Sequence, residues 1–69
     1  MTTGELIRAR RLELGMTQAE LGIRSKCGQR DISDYELGKR EPKVSRLIDI
    51  AIGLGMDIRE LLKGVGEDG

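Results

Sequence analysis

Apolar residues recur three and four positions apart along most of the chain, which is the spacing of an amphipathic α-helix and not the alternation of a β-strand. A first helix is predicted from about Thr3 to Leu14, with Ile7, Arg11 and Leu14 on one face. Gly15 suits the left-handed position that follows a helix, so the helix is expected to end there.

Two short helical segments follow, joined by a polar turn. The tetrapeptide Thr17–Glu20 has the form of a capping box, in which a hydroxyl and a carboxylate each accept a backbone N–H of the other residue, and it predicts a helix to about Arg24. A third helix is predicted from Gln29 to Leu37 and ends at Gly38. Its inward face is expected to be Ile32, Tyr35 and Glu36.

Two more helices are predicted after Pro42. The apolar face of the fourth helix, which stops at Gly55, is expected to consist of Val44, Leu47, Ile48, Ala51 and Leu54. A second capping box at 57–60 opens a fifth helix, in which Leu61 and Leu62 close the core before Gly64.

The sequence therefore predicts an all-α fold, with five helices in one domain over residues 1–64 and a short flexible tail at 65–69. The 69-residue chain has no Trp, no Phe and one Tyr, so aliphatic side chains must form its core. Gly22 and Gly53 stand inside predicted helices, where each costs up to about 1 kcal/mol unless close packing of helices requires it.

The single cysteine, Cys27, cannot form an internal disulfide and is expected to be a small packing residue, not a redox sensor. The first eleven residues carry charge where a signal peptide would need an apolar run. No apolar stretch approaches the roughly 18 residues of a membrane span. These features predict a soluble, cytoplasmic protein.

Charge is unevenly distributed, although the net charge is zero. Residues 1–46 hold ten basic and seven acidic residues, whereas residues 47–69 hold two basic and five acidic residues. The N-terminal two thirds is therefore locally basic. The positive electrostatic field around this part of the chain attracts a polyanion at short range, and the resulting affinity is expected to be strongly sensitive to salt.

Three sequence blocks in gap-free order resemble the lambda-type repressor and Cro family, also called the xenobiotic-response-element helix-turn-helix family. They are RLELGMTQAEL at 11–21, YELGKREP at 35–42 and LGMDIRELL at 54–62. The resemblance covers about residues 4–64. It implies a lambda-repressor-like DNA-binding domain whose second and third helices form the helix-turn-helix. It also implies a sequence-specific transcriptional regulator, such as a repressor, that inserts its third helix into the DNA major groove as a homodimer.

The resemblance implies a role for individual residues. Gln18 is expected to touch a phosphate and to brace Gln29, whose amide can both donate to and accept from adenine. Arg30 suits either guanine or a phosphate equally well. The expected base contacts are Gln29, Arg30, Ser33 and Asp34. The expected contacts to the DNA backbone are Thr17, Gln18, Lys26, Lys39, Arg40 and Lys43.

Two further groups of residues carry structural expectations from the same resemblance. Arg11 and Glu36 correspond to an internal ion pair of the family. Losing one partner of such a pair costs about 3 to 5 kcal/mol when the pair is fully buried. The dimer interface is expected to include Arg46, Met56 and Asp57.

Several positions depart from the family pattern. Ser25 and Lys26 stand in the turn where an apolar residue and a glycine are common, so a rebuilt turn is expected. Asp31 and Asp34 add negative charge to the predicted third helix, called here the reading helix because it is expected to contact the bases. This charge is tolerable if the two aspartates cap the helix, turn away from the DNA, or accept from cytosine N4. Apolar side chains replace expected polar ones at Ile23, Leu37 and Ile52.

These departures leave an alternative function open: a helix-turn-helix scaffold for protein contact, such as an antitoxin or a corepressor partner. An enzyme is not expected, because the chain has no His, no phosphate-binding loop and no cluster of metal ligands. No cofactor, metal, small-molecule ligand or membrane partner is expected. Double-stranded DNA is the expected partner.

Overall fold

The computed structural model describes residues 1–64, and the predicted tail at 65–69 lies outside the described residues. The described part of the chain contains helices and turns and no strand, which confirms the all-α, five-helix prediction. The helices are α1 (Thr3–Glu13), α2 (Gln18–Arg24), α3 (Gln29–Leu37), α4 (Val44–Leu54) and α5 (Ile58–Leu62).

Side-chain caps mark the start of α1, α2 and α5. The Thr17 hydroxyl accepts the Glu20 N–H at 3.0 Å, and the Glu20 carboxylate accepts the Thr17 N–H at 2.8 Å, as predicted. This second hydrogen bond holds the pKa of Glu20 below its ordinary value. The capping box predicted at 57–60 is wrong, because Asp57 caps α5 through the N–H of Arg59.

Glycines in the left-handed conformation end α3 and α4. Gly38 follows α3 with φ 76°, and Gly55 follows α4 with φ 63°. Other residues pay a steric penalty at such angles, because their Cβ atom approaches the backbone. Both ends agree with the sequence prediction.

Ten side chains from all five helices and the α1–α2 turn form one core. Its members are Ile7, Met16, Leu21, Ile32, Tyr35, Leu47, Ile50, Ala51, Leu54 and Leu61. Four residues predicted to face inward are instead exposed: Leu14, Val44, Ile48 and Leu62.

The physical reason differs between these four residues. Leu14 lies at the C-cap of α1, beyond the last helical turn. Leu62 directly follows the fully buried Leu61, and adjacent residues of a helix point about 100° apart. Seven of the eleven residues of α4 are apolar, so the sequence allows more than one apolar face. The structure buries the face that includes Ile50 and exposes Val44 and Ile48.

Three helical glycines allow close packing, against backbone atoms at Gly4 and Gly22 and against side chains at Gly53. A Cβ atom on Gly53 would lie 2.8 Å from Ser25 Oγ, and one on Gly22 would lie 3.0 Å from the Cys27 carbonyl oxygen. A Cβ atom on Gly4 would overlap the carbonyl oxygen of Tyr35. Close packing thus accounts for the glycines inside α2 and α4, and the start of α1 rests directly on the end of α3.

An ion pair joins α1 to α3. Arg11 donates from Nε to Glu36 Oε2 at 2.7 Å and from a terminal nitrogen to Glu36 Oε1 at 3.0 Å. It also donates to the Met16 carbonyl at 2.8 Å, and the Gln18 amide donates to Glu36 Oε1 at 3.1 Å. The side chains of Arg11 and Glu36 are only 10% and 3% exposed. This network ties α1, the start of α2 and α3 together.

We expect Gly4→Ala to lower the free energy of unfolding by about 2 kcal/mol or more, because the new methyl group meets backbone atoms that cannot rotate away. Gly28→Ala is the matched control, since its Cβ atom would have no neighbour closer than 3.8 Å. Its effect should stay within about 1 kcal/mol. Urea denaturation measures both, and equal effects would rule out close packing as the reason for Gly4.

We expect Glu36→Leu to cost about 3 kcal/mol in the free energy of unfolding, because it leaves the Arg11 guanidinium without its carboxylate. The double variant Arg11→Met/Glu36→Leu should recover most of this loss, because no charge then remains unpaired. Thermal or urea denaturation measures the loss in the single variant and the recovery in the double variant. A double variant less stable than Glu36→Leu would show that the pair itself, and not the orphaned charge, sets the stability.

Candidate nucleic-acid interface

The turn between α2 and α3 is rebuilt, as the sequence indicates. Lys26 adopts the left-handed conformation with φ 57° at the place where a glycine is common. A non-glycine residue pays about 1 to 2 kcal/mol for this conformation. The turn is supported by the Cys27 N–H, which donates to the Gly22 carbonyl at 2.8 Å, and by Arg46, which donates to the Lys26 carbonyl at 3.1 Å.

Buried side chains fill the inner side of this turn. Ser25 is fully buried, and its hydroxyl has no hydrogen-bond partner within residues 1–64. Cys27 packs against the core, and burial raises the pKa of its thiol. A thiol with a raised pKa is a poor nucleophile at neutral pH, which supports a packing role for Cys27.

The outer face of α3 is polar and accessible. Gln29 and Arg30 are exposed and Ser33 is partly exposed, whereas Ile32 and Tyr35 on the opposite face are buried. Arg30 takes part in no ion pair among the described residues. The guanidinium of Arg30 is therefore available to an external partner.

A shallow groove with a volume of about 220 Å³ runs beside the outer face of α3. Residues of α1, α2 and α3 line it: Arg8, Arg11, Gln18, Ser33, Glu36 and Leu37. Arg8 is exposed and joins no ion pair in the part of the chain that the structure describes. Sequence reasoning missed Arg8, although its place one turn before Arg11 on α1 was a usable signal.

At the start of α2 the structure differs from one expectation. Gln18 donates to Glu36, and no hydrogen bond joins Gln18 to Gln29 within residues 1–64. The Thr17 hydroxyl caps α2 by accepting the Glu20 N–H. The amide of Gln18 is thus held in place by the ion pair, with one edge open to the groove.

The loop between α3 and α4 carries the expected basic residues in two different states. Lys39 and Lys43 are exposed and form no ion pair with any described residue, and the same holds for Lys26 in the other turn. Arg40, by contrast, is bonded to Asp31 and Asp34. An open groove of about 570 Å³ lies along this loop, lined by Tyr35, Arg40, Glu41, Lys43, Ser45 and Arg46.

The two aspartates of α3 pair with Arg40. Asp34 Oδ2 accepts from Arg40 Nε at 3.2 Å, and Asp31 accepts from a terminal nitrogen of Arg40 and from the Gly28 N–H. The guanidinium holds the pKa of the Asp31 carboxyl below its ordinary value. Asp31 therefore fulfils one of the alternatives from the sequence, because it caps α3, and its other carboxylate oxygen pairs with Arg40.

The three residues expected in a dimer interface each have a contact within the chain. Arg46 supports the α2–α3 turn, Met56 packs against the core, and Asp57 pairs with Arg59 at 2.7 Å. The Arg59 guanidinium lowers the pKa of Asp57 to about 2. Arg46 lies in the first turn of α4, and Met56 follows the end of this helix, just after Gly55.

The described residues contain neither a metal-binding cluster nor a membrane-spanning helix. Within 1–64, no three residues among His, Cys, Asp and Glu come together in a way that could hold a metal ion. In the same range, every helix is too short or too polar to cross a membrane.

The sequence matches known helix-turn-helix proteins over most of its length. Residues 7–61 match the model of the helix-turn-helix family HTH_3. The HTH-type transcriptional regulator y4dJ of Sinorhizobium fredii, itself uncharacterised, is 39% identical over 57 residues, which are 83% of this chain and 74% of y4dJ.

Two solved structures have the same fold. The P22 c2 repressor, crystallised with a synthetic operator, is 36% identical with a TM-score of 0.86, and the match covers 93% of this chain and 97% of the repressor chain. The clp gene regulator ClgR from C. glutamicum is 25% identical with a TM-score of 0.84, covering 97% of this chain and 88% of the other. The chain therefore belongs to the helix-turn-helix family HTH_3, the Cro/CI type of DNA-binding transcriptional regulators.

Proposed function

We propose that this regulator is a repressor that binds specific DNA sequences by placing α3 in the major groove. The observation that carries the proposal is the exposed polar face of α3, with Gln29, Arg30 and Ser33 on its outer side. Basic side chains that form no ion pair with a described residue, Arg8 and Lys39 among them, flank this face. The P22 c2 repressor, which has the same fold, was crystallised with a synthetic operator.

The proposed base-contacting residues differ in which bases they can distinguish. The Gln29 amide suits the N6 and N7 edge of adenine, and Arg30 suits guanine O6 and N7, each contributing about 1 to 3 kcal/mol of discrimination. Ser33 can donate or accept, and the exposed apolar side chain of Leu37 suits a thymine methyl group. This set predicts a preference over several adjacent base pairs of one half-site.

Contacts to the DNA backbone would position the reading helix. Lys26, Lys39 and Lys43 are exposed cations on the two turns that border α3, where they can approach phosphates. Gln18 and Thr17 at the start of α2 complete this proposed set. Contacts of this kind add affinity for every sequence alike and make binding sensitive to salt.

We propose a homodimer on DNA. One short helix contacts too few bases for tight specific binding at physiological salt, and a symmetric dimer doubles the contact. Its half-sites would lie about 34 Å apart, one helical turn of DNA. Arg46, Met56 and Asp57 remain the proposed interface. The proposal further includes a cytoplasmic location and no enzymatic activity.

A second candidate function rests on α4. Val44, Ile48 and Ile52 follow one another at four-residue intervals and are 63%, 45% and 71% exposed, which forms an apolar row on the outside of the helix. Apolar surface of this kind favours protein contact. The chain would then act as a scaffold for another protein, and complete absence of DNA binding at low salt would favour this function.

Selection from a random DNA library tests the proposed readout. Wild-type protein should enrich a consensus, and Gln29→Ala should relax the preference at one or two base pairs of each half-site, because its amide contact is lost. Glu60→Ala on α5 is the control and should leave the consensus unchanged. If the Gln29→Ala consensus equals that of the wild type, Gln29 does not read bases.

Half-site spacing tests the dimer. Sedimentation with DNA that carries two selected half-sites one helical turn apart should show cooperative binding of two chains per duplex. Moving the half-sites about five base pairs further apart puts them on opposite sides of the duplex and should abolish this cooperativity. Binding that is independent of spacing would contradict a symmetric dimer.

A further inference from the structure

The reading helix is acidic by sequence. From Gln29 to Leu37 it contains one basic residue, Arg30, and three acidic residues, for a net charge of −2. Glu36 is neutralised by Arg11 on the buried side. The charges of Asp31 and Asp34 remain, and both lie on a helix that must approach a polyanion.

Arg40 lies against these two carboxylates. Its Nε donates to Asp34 Oδ2 at 3.2 Å, and a terminal nitrogen donates to Asp31 Oδ1. The guanidinium carbon also lies 5.3 Å from the centre of the Tyr35 ring, within the range of a cation–π contact. Three contacts therefore hold one side chain, and all of them are to α3.

The position of Arg40 differs from that of the neighbouring lysines. Lys39 and Lys43 come from the same loop but have no ion pair with a described residue. A phosphate can engage them without breaking any ion pair. If Arg40 turned to a phosphate instead, it would leave two carboxylates unpaired beside the DNA, where like charges repel.

We propose that Arg40 is the internal counterion of the reading helix, and that it stays on Asp31 and Asp34 when the protein binds DNA. This inference rests on the proposed function. It changes two expected roles, because Arg40 then makes no essential phosphate contact and the Asp34 carboxylate does not read cytosine. The bases are read by Gln29, Arg30 and Ser33 alone among the residues expected to do so.

A double-mutant cycle on DNA tests the proposal. The affinity for a selected duplex is measured by fluorescence anisotropy for four proteins: wild type, Arg40→Ala, Asp31→Asn/Asp34→Asn, and the combination of all three substitutions. Asparagine keeps an oxygen that can accept the Gly28 N–H, so the start of α3 is preserved.

We expect Arg40→Ala to weaken binding about tenfold or more in the wild-type background, because two carboxylates then face the phosphates without a counterion. In the Asp31→Asn/Asp34→Asn background the same substitution should change affinity less than about twofold. A matched control, Lys39→Ala, should weaken binding equally in both backgrounds and lower the salt slope by about one. Equal losses for Arg40→Ala in both backgrounds would overturn the proposal.

A measurement without DNA separates this proposal from the proposed function. Carbon-13 NMR titration of the Asp31 carboxyl group should show that Arg40→Ala raises its pKa toward the ordinary value, with Arg40→Lys giving an intermediate value. An unchanged pKa would overturn the counterion role even if the protein binds DNA. Failure of every variant, wild type included, to bind any duplex would refute the proposed function instead. Thermal unfolding of each variant establishes that it is folded.

Discussion

The position of α3 depends on the ion pair between Arg11 and Glu36. Glu36 accepts from Arg11 of α1 and from Gln18 of α2, so one carboxylate fixes α3 against both neighbouring helices. Arg11 in turn holds the Met16 carbonyl in the turn between α1 and α2. A nearly buried charge pair is rarely the most stabilising choice for a core, but its geometry is directional. Here that directionality helps to fix the orientation of α3 relative to α1 and α2.

Local sequence signals were sufficient to predict most of the fold. The Thr17 cap and the glycines after α3 and α4 act on the backbone within a few residues, so they can be recognised without tertiary context. The inward face of α4 was predicted in part incorrectly, because Val44 and Ile48 are as apolar as the buried Ile50. Which of two apolar stripes is buried depends on the other helices, and the local pattern does not contain that information.

The candidate site could be predicted from the sequence only in part. The positions of Gln29, Arg30 and Ser33 on α3 follow from helical periodicity, and the structure places them on the accessible face. The contact between Arg40 and the two acids could not be predicted, because it joins a loop to a helix through long, flexible side chains. A zero net charge likewise hides how the acids are paired. Glu36 lies against Arg11, whereas the exposed lysines form no ion pair within residues 1–64.

Under the proposed function, the left-handed conformation of Lys26 sets local stability against DNA affinity at a single position. A glycine there would relieve the backbone strain, yet it would also remove a cation from the turn that precedes the reading helix. Selection for a more stable domain and selection for tighter binding would therefore favour different residues at position 26. The hydrogen bond from Arg46 to the Lys26 carbonyl offers a way to keep both, because it supports the strained turn without changing the residue that carries the charge.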